Sequence, residues 1–281
     1  SYRAGSIKTD MGFKISERLS LGDKQKISKR TLSEYFITGN FKVEGDFYTI
    51  NVDLYTTSNA KKVSSQQYQG NDFFNLIDSA SKQLKIDMKI PATYLENVTD
   101  LPVSERFTNS MEALKYFTYS SYSEEFEKTV YFLEKSVEHD PEFALAHVGL
   151  YQEYTMTNNQ QGYAEHMGLA LKYLNRLNEG VRFAVRMDQH MQDNEKRIQI
   201  LNMWEELYPE DLDPCYVAAH IYKMDAKYDK VIHYFNKILK IAPEEHRVLL
   251  SLGSAYSTLL DYDKALSYYN KYLELYPKNP E

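Results

Sequence analysis

Two periodicities divide the chain. Around Ile37–Leu54, apolar and polar residues alternate: Ile37, Phe41 and Val43 share one parity, while Ile50, Val52 and Leu54 alternate with Thr49, Asn51 and Asp53. A period of two marks half-buried strands, and Glu44-Gly45-Asp46 between the runs supplies a turn. A second turn near Ser58-Asn59-Ala60 leads into a third strand-like run, KKVSSQQYQ. The period then lengthens. In NDFFNLIDSASKQLK, Phe73, Ile77, Ala80 and Leu84 form one helical stripe, with Asn71 or Asp72 placed to cap its start. The order strand, hairpin, strand, helix predicts a small α+β domain over residues 1–90, its antiparallel sheet covered on one face by the helix. Pro91 and Pro102 bracket a linker at 91–103.

From residue 104 onward the pattern is helical and carries a longer period. Pro277, Pro243, Pro209 and Pro141 share one 34-residue phase, with Asn175 at the remaining position. Helical units therefore begin near Ser110, Ala144, Asn178, Leu212 and His246. In the last unit, Leu252 and Tyr256 lie one turn apart on the first helix. Gly253 there and Ala265 on the second helix are small enough for close packing. Asp261-Tyr262 marks the turn between the helices, and Pro277 stops the second one. Together with Tyr269, these residues resemble the tetratricopeptide repeat (TPR). The resemblance implies a mostly α protein, a TPR α-solenoid of about five repeats over residues 104–281, preceded by the α+β domain. The other units hold the phase more faithfully than the residues. The small position of the first helix carries Phe117, Tyr151, Val185 and Ala219, and that of the second carries Thr129, Tyr163, Arg197 and Val231. The third unit diverges most, with Trp204 where a small residue is usual. Trp204 is read as filling space between degenerate repeats rather than facing a ligand.

The N-terminal segment carries its own resemblance. Phe36-Ile37-Thr38-Gly39-Asn40-Phe41, then Val43-Glu44-Gly45-Asp46, then INVDLYTTSNAKKVSSQQYQG and a helix, is similar to the TolB N-terminal-like (FlgO-like) domain over about residues 31–90. Asn59-Ala60 stands where that family usually has Thr-Gly, and the family's opening strand is absent or replaced by MGFKISERLSLGD. The domain is often followed by TPRs in bacterial signalling proteins. The resemblance therefore implies a periplasmic or extracytoplasmic segment of a membrane-anchored protein, although the residues themselves equally permit the cytoplasm.

Composition narrows the function. Hydrophobic residues make up 43% and charged residues 26%, as in ordinary folded proteins. No apolar run approaches the roughly 18–20 residues of a membrane span. The opening Ser1-Tyr2-Arg3, without a methionine, reads as a processed or trimmed start, with an anchor or effector domain expected outside this chain. The net charge of −7 argues against nucleic acid as a partner. It is unevenly spread: Lys and Arg outnumber Asp and Glu by 14 to 10 up to Ile90, and trail them by 19 to 30 beyond it. Lys24, Lys26, Lys29 and Arg30 are read as a solvated helix or loop, with contact to an anionic surface as the alternative.

Signals for catalysis are weak. His139, His147, His166, His190, His220, His233 and His246 show no HExxH or paired metal spacing, and no phosphate-binding loop, GxSxG or kinase signature is present. Cys215 is the one cysteine, read as packed on the first helix of the fourth unit. Glu124-Glu125, Glu205-Glu206 and Glu244-Glu245 fall near helix starts or on solvent faces, where dipole and solvation account for them. The expectation is a non-enzymatic binding protein with no cofactor and no metal.

In a TPR array the first helices line the concave face. By phase, the candidate partner-binding residues are Leu145, Val148, Gln152 and Thr155 in the second repeat. The fourth contributes Asp213, Tyr216, His220 and Lys223, and the fifth Arg247, Leu250, Ser254 and Ser257. This surface lacks the run of Lys and Asn that grips a C-terminal carboxylate. The leading expectation is a sensor or scaffold segment of a bacterial regulatory protein that recruits a protein or peptide. One alternative is a small-molecule or glycan receptor, its ligand between the α+β domain and the first repeats near Tyr116, Phe117 and Tyr151. Another is a structural assembly subunit. The array runs to Pro280-Glu281 without a polar capping helix, which predicts truncation or a homo-oligomer.

Overall fold

The computed structural model describes residues 7–8, 11–13, 17–93, 101–243 and 245–275, His246 through its backbone. Pro277 of the repeat phase lies outside them. Helix α1 (Leu21–Arg30) is capped by Ser20, whose hydroxyl accepts the Asp23 amide. The strands predicted by alternation follow as β1 (Tyr35–Glu44), β2 (Phe47–Thr56) and β3 (Lys62–Gly70), an antiparallel sheet in sequence order. Ile37 pairs with Leu54 and Phe41 with Ile50, which in turn pairs with Tyr68, so the apolar parity of all three strands shares one face. Polar side chains link the other face. Asn51 Nδ2 donates to Asn40 Oδ1 at 2.9 Å, and Gln67 Nε2 donates to Asn51 Oδ1 at 2.8 Å.

Helix α2 (Phe73–Asp87) starts at Asp72, which accepts the Asn75 amide. It packs on β2 and β3, bringing the Phe73 ring to 5.4 Å from Tyr48 and helping to bury Ile50 and Leu54. The β1 part of that apolar face stays open, with Ile37, Phe41 and Val43 exposed. A single turn, α3 (Val103–Arg106), is tied back to α2 because the Val103 amide donates to Asp78 Oδ1 at 2.8 Å.

Five helical hairpins follow among the described residues. They are α4 (Met111–Tyr122) with α5 (Phe126–His139), α6 (Ala144–Met156) with α7 (Gln160–Lys172), and α8 (Glu179–Gln189) with α9 (Asn194–Leu207). The last two pair α10 (Asp213–Met224) with α11 (Tyr228–Ile241), and α12 (His246–Thr258) with α13 (Tyr262–Leu275). Each first helix begins within a residue of the position set by the 34-residue phase. The hairpin turns repeat the phase in the backbone. Asn158, Ala226 and Leu260, each set a whole number of periods apart, adopt φ of 56°, 55° and 61°. One residue later come the helix caps Asn159, Asp193 and Asp261, each accepting an amide three residues on, while Lys227 holds the same place without an acceptor.

The hairpins are also closed by a recurring ring stack between first and second helix. Tyr154 stacks on His166 at 5.7 Å, Tyr222 on Tyr234 at 5.7 Å and Tyr256 on Tyr268 at 5.6 Å. Both partners keep the 34-residue phase, and such a pair contributes about 0.5–1.5 kcal/mol beyond burial. In the third hairpin these two positions hold Asp188 and Ile200. There Trp204 stacks on Phe183 at 5.2 Å within the core of Phe183, Met187, Leu201, Trp204, Ala218 and Ile221, the packing role expected of it. At the phase position that lacks proline, Asn175, the chain makes one 3₁₀ turn, Leu174–Arg176. Just beyond it the chain divides into two compact units, residues 1–178 and 179–281. The division follows compactness rather than the change of period, since the sheet and the first two hairpins fall in the same unit.

Candidate partner-binding groove

Within the second unit, α10, α11 and α12 enclose a groove of about 280 Å³. Its apolar lining is Tyr228, Val231 and Phe235 from α11 with Leu250 and Ala255 from α12. Lys223 from α10 and Ser251, Ser254 and Thr258 from α12 add polar groups. Val231 and Ala255 are buried because Ala219 packs against both, so the floor is held by the core. Thr258 Oγ1 donates to the Ser254 carbonyl at 3.0 Å, one turn back on the same helix. The Lys223 ammonium is exposed and forms no ion pair among the described residues. An apolar side chain fits this floor. A carboxylate can meet Lys223, and hydroxyls at the rim can bond a peptide backbone.

Of the phase-predicted residues, Lys223, Leu250 and Ser254 meet in this groove. His220, Asp213 and Arg247 are exposed outside its lining, and Ser257 is half-buried. Tyr216 packs partly on the core beneath α12, with Phe235 at 6.5 Å. In the second repeat, Val148 is buried and Leu145 packs on the cluster of Ala113, Leu133, Phe143, Ala146 and Leu150, leaving Gln152 and Thr155 open. The second-helix residues Tyr228, Val231 and Phe235 were missed because phase reasoning took the lining from first helices. Val231 alone carried a signal, as the small position of its helix.

The histidines scattered along the sequence include one pair. His147 Nδ1 lies 3.0 Å from His166 Nδ1, and His147 Nε2 lies 2.9 Å from the Pro141 carbonyl oxygen. That carbonyl only accepts, so Nε2 carries the proton, and neutral His147 then accepts from His166 Nδ1–H. Burial lowers the pKa of both rings, and for His166 the neighbouring His147 lowers it further. A folded-state pKa below the unfolded value of about 6.5 gives stability that is present above that pH and lost on acidification. The thermal midpoint should therefore fall as pH drops from about 7 to 5. His166→Tyr, which installs the residue found at this phase in the fourth and fifth hairpins, should flatten that dependence. An unchanged profile in calorimetry would remove the pair as its source.

Cys215 is buried, and desolvation, followed by the adjacent Glu205 carboxylate, pushes its thiol up to about 12. A thiolate nucleophile is thereby disfavoured. Glu205 corrects the reading of its carboxylate pair. It sits in the last turn of α9 with its side chain largely covered, pairs with Lys237 Nζ at 2.8 Å and accepts from Cys215. Tyr151 is buried against Tyr163, which closes its ring to a small molecule, whereas Phe117, packed on Phe143 at 4.9 Å, and Tyr116 stay half-buried. Among the described residues no group of three or more His, Cys, Asp or Glu can hold a metal ion, and no helix is long and apolar enough to cross a membrane.

Residues 246–279 match the tetratricopeptide repeat family. The last hairpin is a tetratricopeptide repeat. Such repeats pack helical pairs into a solenoid that serves protein–protein interaction. Gly253 serves the repeat as its sequence predicted, because a Cβ there would press into the Tyr269 ring of α13. No curated protein matches the chain. Among solved structures it is similar to MamA 41-end from Desulfovibrio magneticus RS-1, at 19% identity and TM-score 0.41, over 61% of this chain and 99% of that one. It is also similar to YrrB, described as a TPR protein with an unusual peptide-binding site, at 18% identity and TM-score 0.39, over 59% and 88%. A third likeness is to the APC/C hetero-tetramer Cut9-Hcn1, at 18% identity and TM-score 0.45, over 60% and 34%.

Proposed function

We propose that this chain is a non-enzymatic interaction segment that binds an extended peptide or protein segment in the groove between the fourth and fifth repeats. The observation that carries the reading is the composition of that groove: an apolar floor fixed by the core, hydroxyls on α12, and the exposed ammonium of Lys223, which has no ion pair among the described residues. A groove of this kind takes one apolar side chain and an acidic group beside it. Supporting the wider role, residues 31–90 resemble a domain of bacterial signalling proteins, which favours a sensor or scaffold in an extracytoplasmic part of a regulatory protein. In that arrangement the anchor and effector lie outside this chain.

The test is capture of partners by photo-crosslinking, with the crosslinker at Ser254 and the result compared in Leu250→Asp. Leu250 is half-buried at the groove wall, so an added carboxylate opposes both the apolar contact and an acidic ligand. Binding should weaken at least tenfold in Leu250→Asp with the thermal midpoint retained. A partner set identical with and without the substitution would move the site elsewhere on the chain.

A further inference from the structure

Strand β1 has the features of an unfinished edge. It runs ten residues, has β2 on one side, and has no strand on the other among the described residues. Its apolar parity is open to solvent, with Ile37 54%, Phe41 68% and Val43 46% exposed. These residues nevertheless share the face on which Ile50 and Leu54 are buried. Long, apolar edge strands invite pairing with another strand, and folded proteins usually block them with charge, proline or a bulge. Here no proline interrupts β1, and its register with β2 is unbroken from Tyr35 to Glu44. Its two charges, Lys42 and Glu44, neutralise one another in an ion pair.

We propose that β1 pairs antiparallel with β1 of a second copy of this chain, about a two-fold axis at Asn40, making one continuous six-stranded sheet. The occupant follows from the strand's self-complementarity. In an antiparallel pair the two residue numbers sum to a constant, and the sum must be even for both apolar faces to lie on the same side. Sums of 78 and 80 keep equally many residues within the strand, but 78 sets Gly39 on Gly39 and Glu44 against Glu34. The sum of 80 pairs Phe36 with Glu44 at its ends. It sets Ile37 on the second copy's Val43, and Phe41 over its Gly39, the arrangement in which an aromatic ring covers a strand glycine. Lys42 then faces Thr38 and Asn40 faces Asn40, so no like charges oppose. Moving the axis to Phe41 sets Ile37 against Gly45, in the turn, and shortens the ladder.

Light scattering on the full chain across a concentration series tests the pairing. The mass should rise from 32.9 kDa toward twice that value, and Phe41→Lys should hold it at 32.9 kDa with an unchanged thermal midpoint, since Phe41 is exposed. Disulfide trapping tests the register. Two Asn40→Cys chains would place their Cα atoms about 4.5–5.5 Å apart, within disulfide reach, and should crosslink under mild oxidation. Lys42→Cys would leave the two thiols about four residues apart along the strands, roughly 13 Å, and should not crosslink. The buried Cys215, present in every variant, provides the background. A mass fixed at 32.9 kDa at all concentrations overturns the dimer. A dimer that survives Phe41→Lys, or one trapped at position 42 and not at 40, overturns this interface.

Discussion

Trp204→Ala is expected to destabilise the second unit by about 3–5 kcal/mol, a large part of the roughly 5–15 kcal/mol that holds a typical domain folded. Three effects combine. The indole is 4% exposed and stacks on Phe183 with the rings only 9° from parallel, so removing it opens a cavity in a core shared by α8, α9 and α10. Its Nε1–H donates to Asp211 Oδ2 at 3.0 Å. The other oxygen of Asp211 accepts the Asp213 amide at the start of α10, so loss of the indole also loosens the lead into the fourth repeat. Trp204→Phe keeps most of the packing and loses the hydrogen bond, and should cost about 1–2 kcal/mol. Urea unfolding followed by circular dichroism measures both. A loss below about 1 kcal/mol for alanine would mean that the indole does not fill the third repeat's core.

The next largest effect is expected at Gly39. A Cβ there would press into the backbone carbonyl oxygen of Asn51 on β2, an atom that cannot rotate aside, so Gly39→Ala must part β1 from β2. The expected cost is about 2–3 kcal/mol, with faster amide exchange along β1. Gly45→Ala is the matched control. Gly45 has φ of 62° in the hairpin turn, but nothing lies within 4 Å of the added Cβ, so only backbone strain of about 1 kcal/mol opposes it. Equal costs at the two positions would contradict the steric account.

The hairpins were legible because several independent signals share one phase: prolines, caps such as Asp261, and the Leu252–Tyr256 stripe. Even the divergent third repeat kept its boundaries, since its cap Asp193 holds the phase although its stacking ring does not. The sheet was legible from alternation, but alternation shows which face is apolar and not what covers it. Leu54 and Phe41 carry the same pattern, yet one is fully buried and the other is open. The groove was half legible. Lys223, Leu250 and Ser254 follow from repeat position, whereas Tyr228 and Phe235 join them through the approach of a second helix. The pairing of His147 with His166, and of Glu205 with Lys237, crosses between helices. Sequence spacing carries no record of either contact.

The left-handed residues at 158, 226 and 260 bear on how such a chain can change length. Each sits where a first helix hands over to a second, and the second, fourth and fifth hairpins share that backbone angle. Removing or duplicating residues 227–260 joins like conformations at the turn. Any other number leaves a helix where the chain must reverse. Growth and loss by whole hairpins is thus the route of least structural disturbance, and the first and third repeats, which carry no member of the ring-stack series, are the units whose removal would leave that series whole.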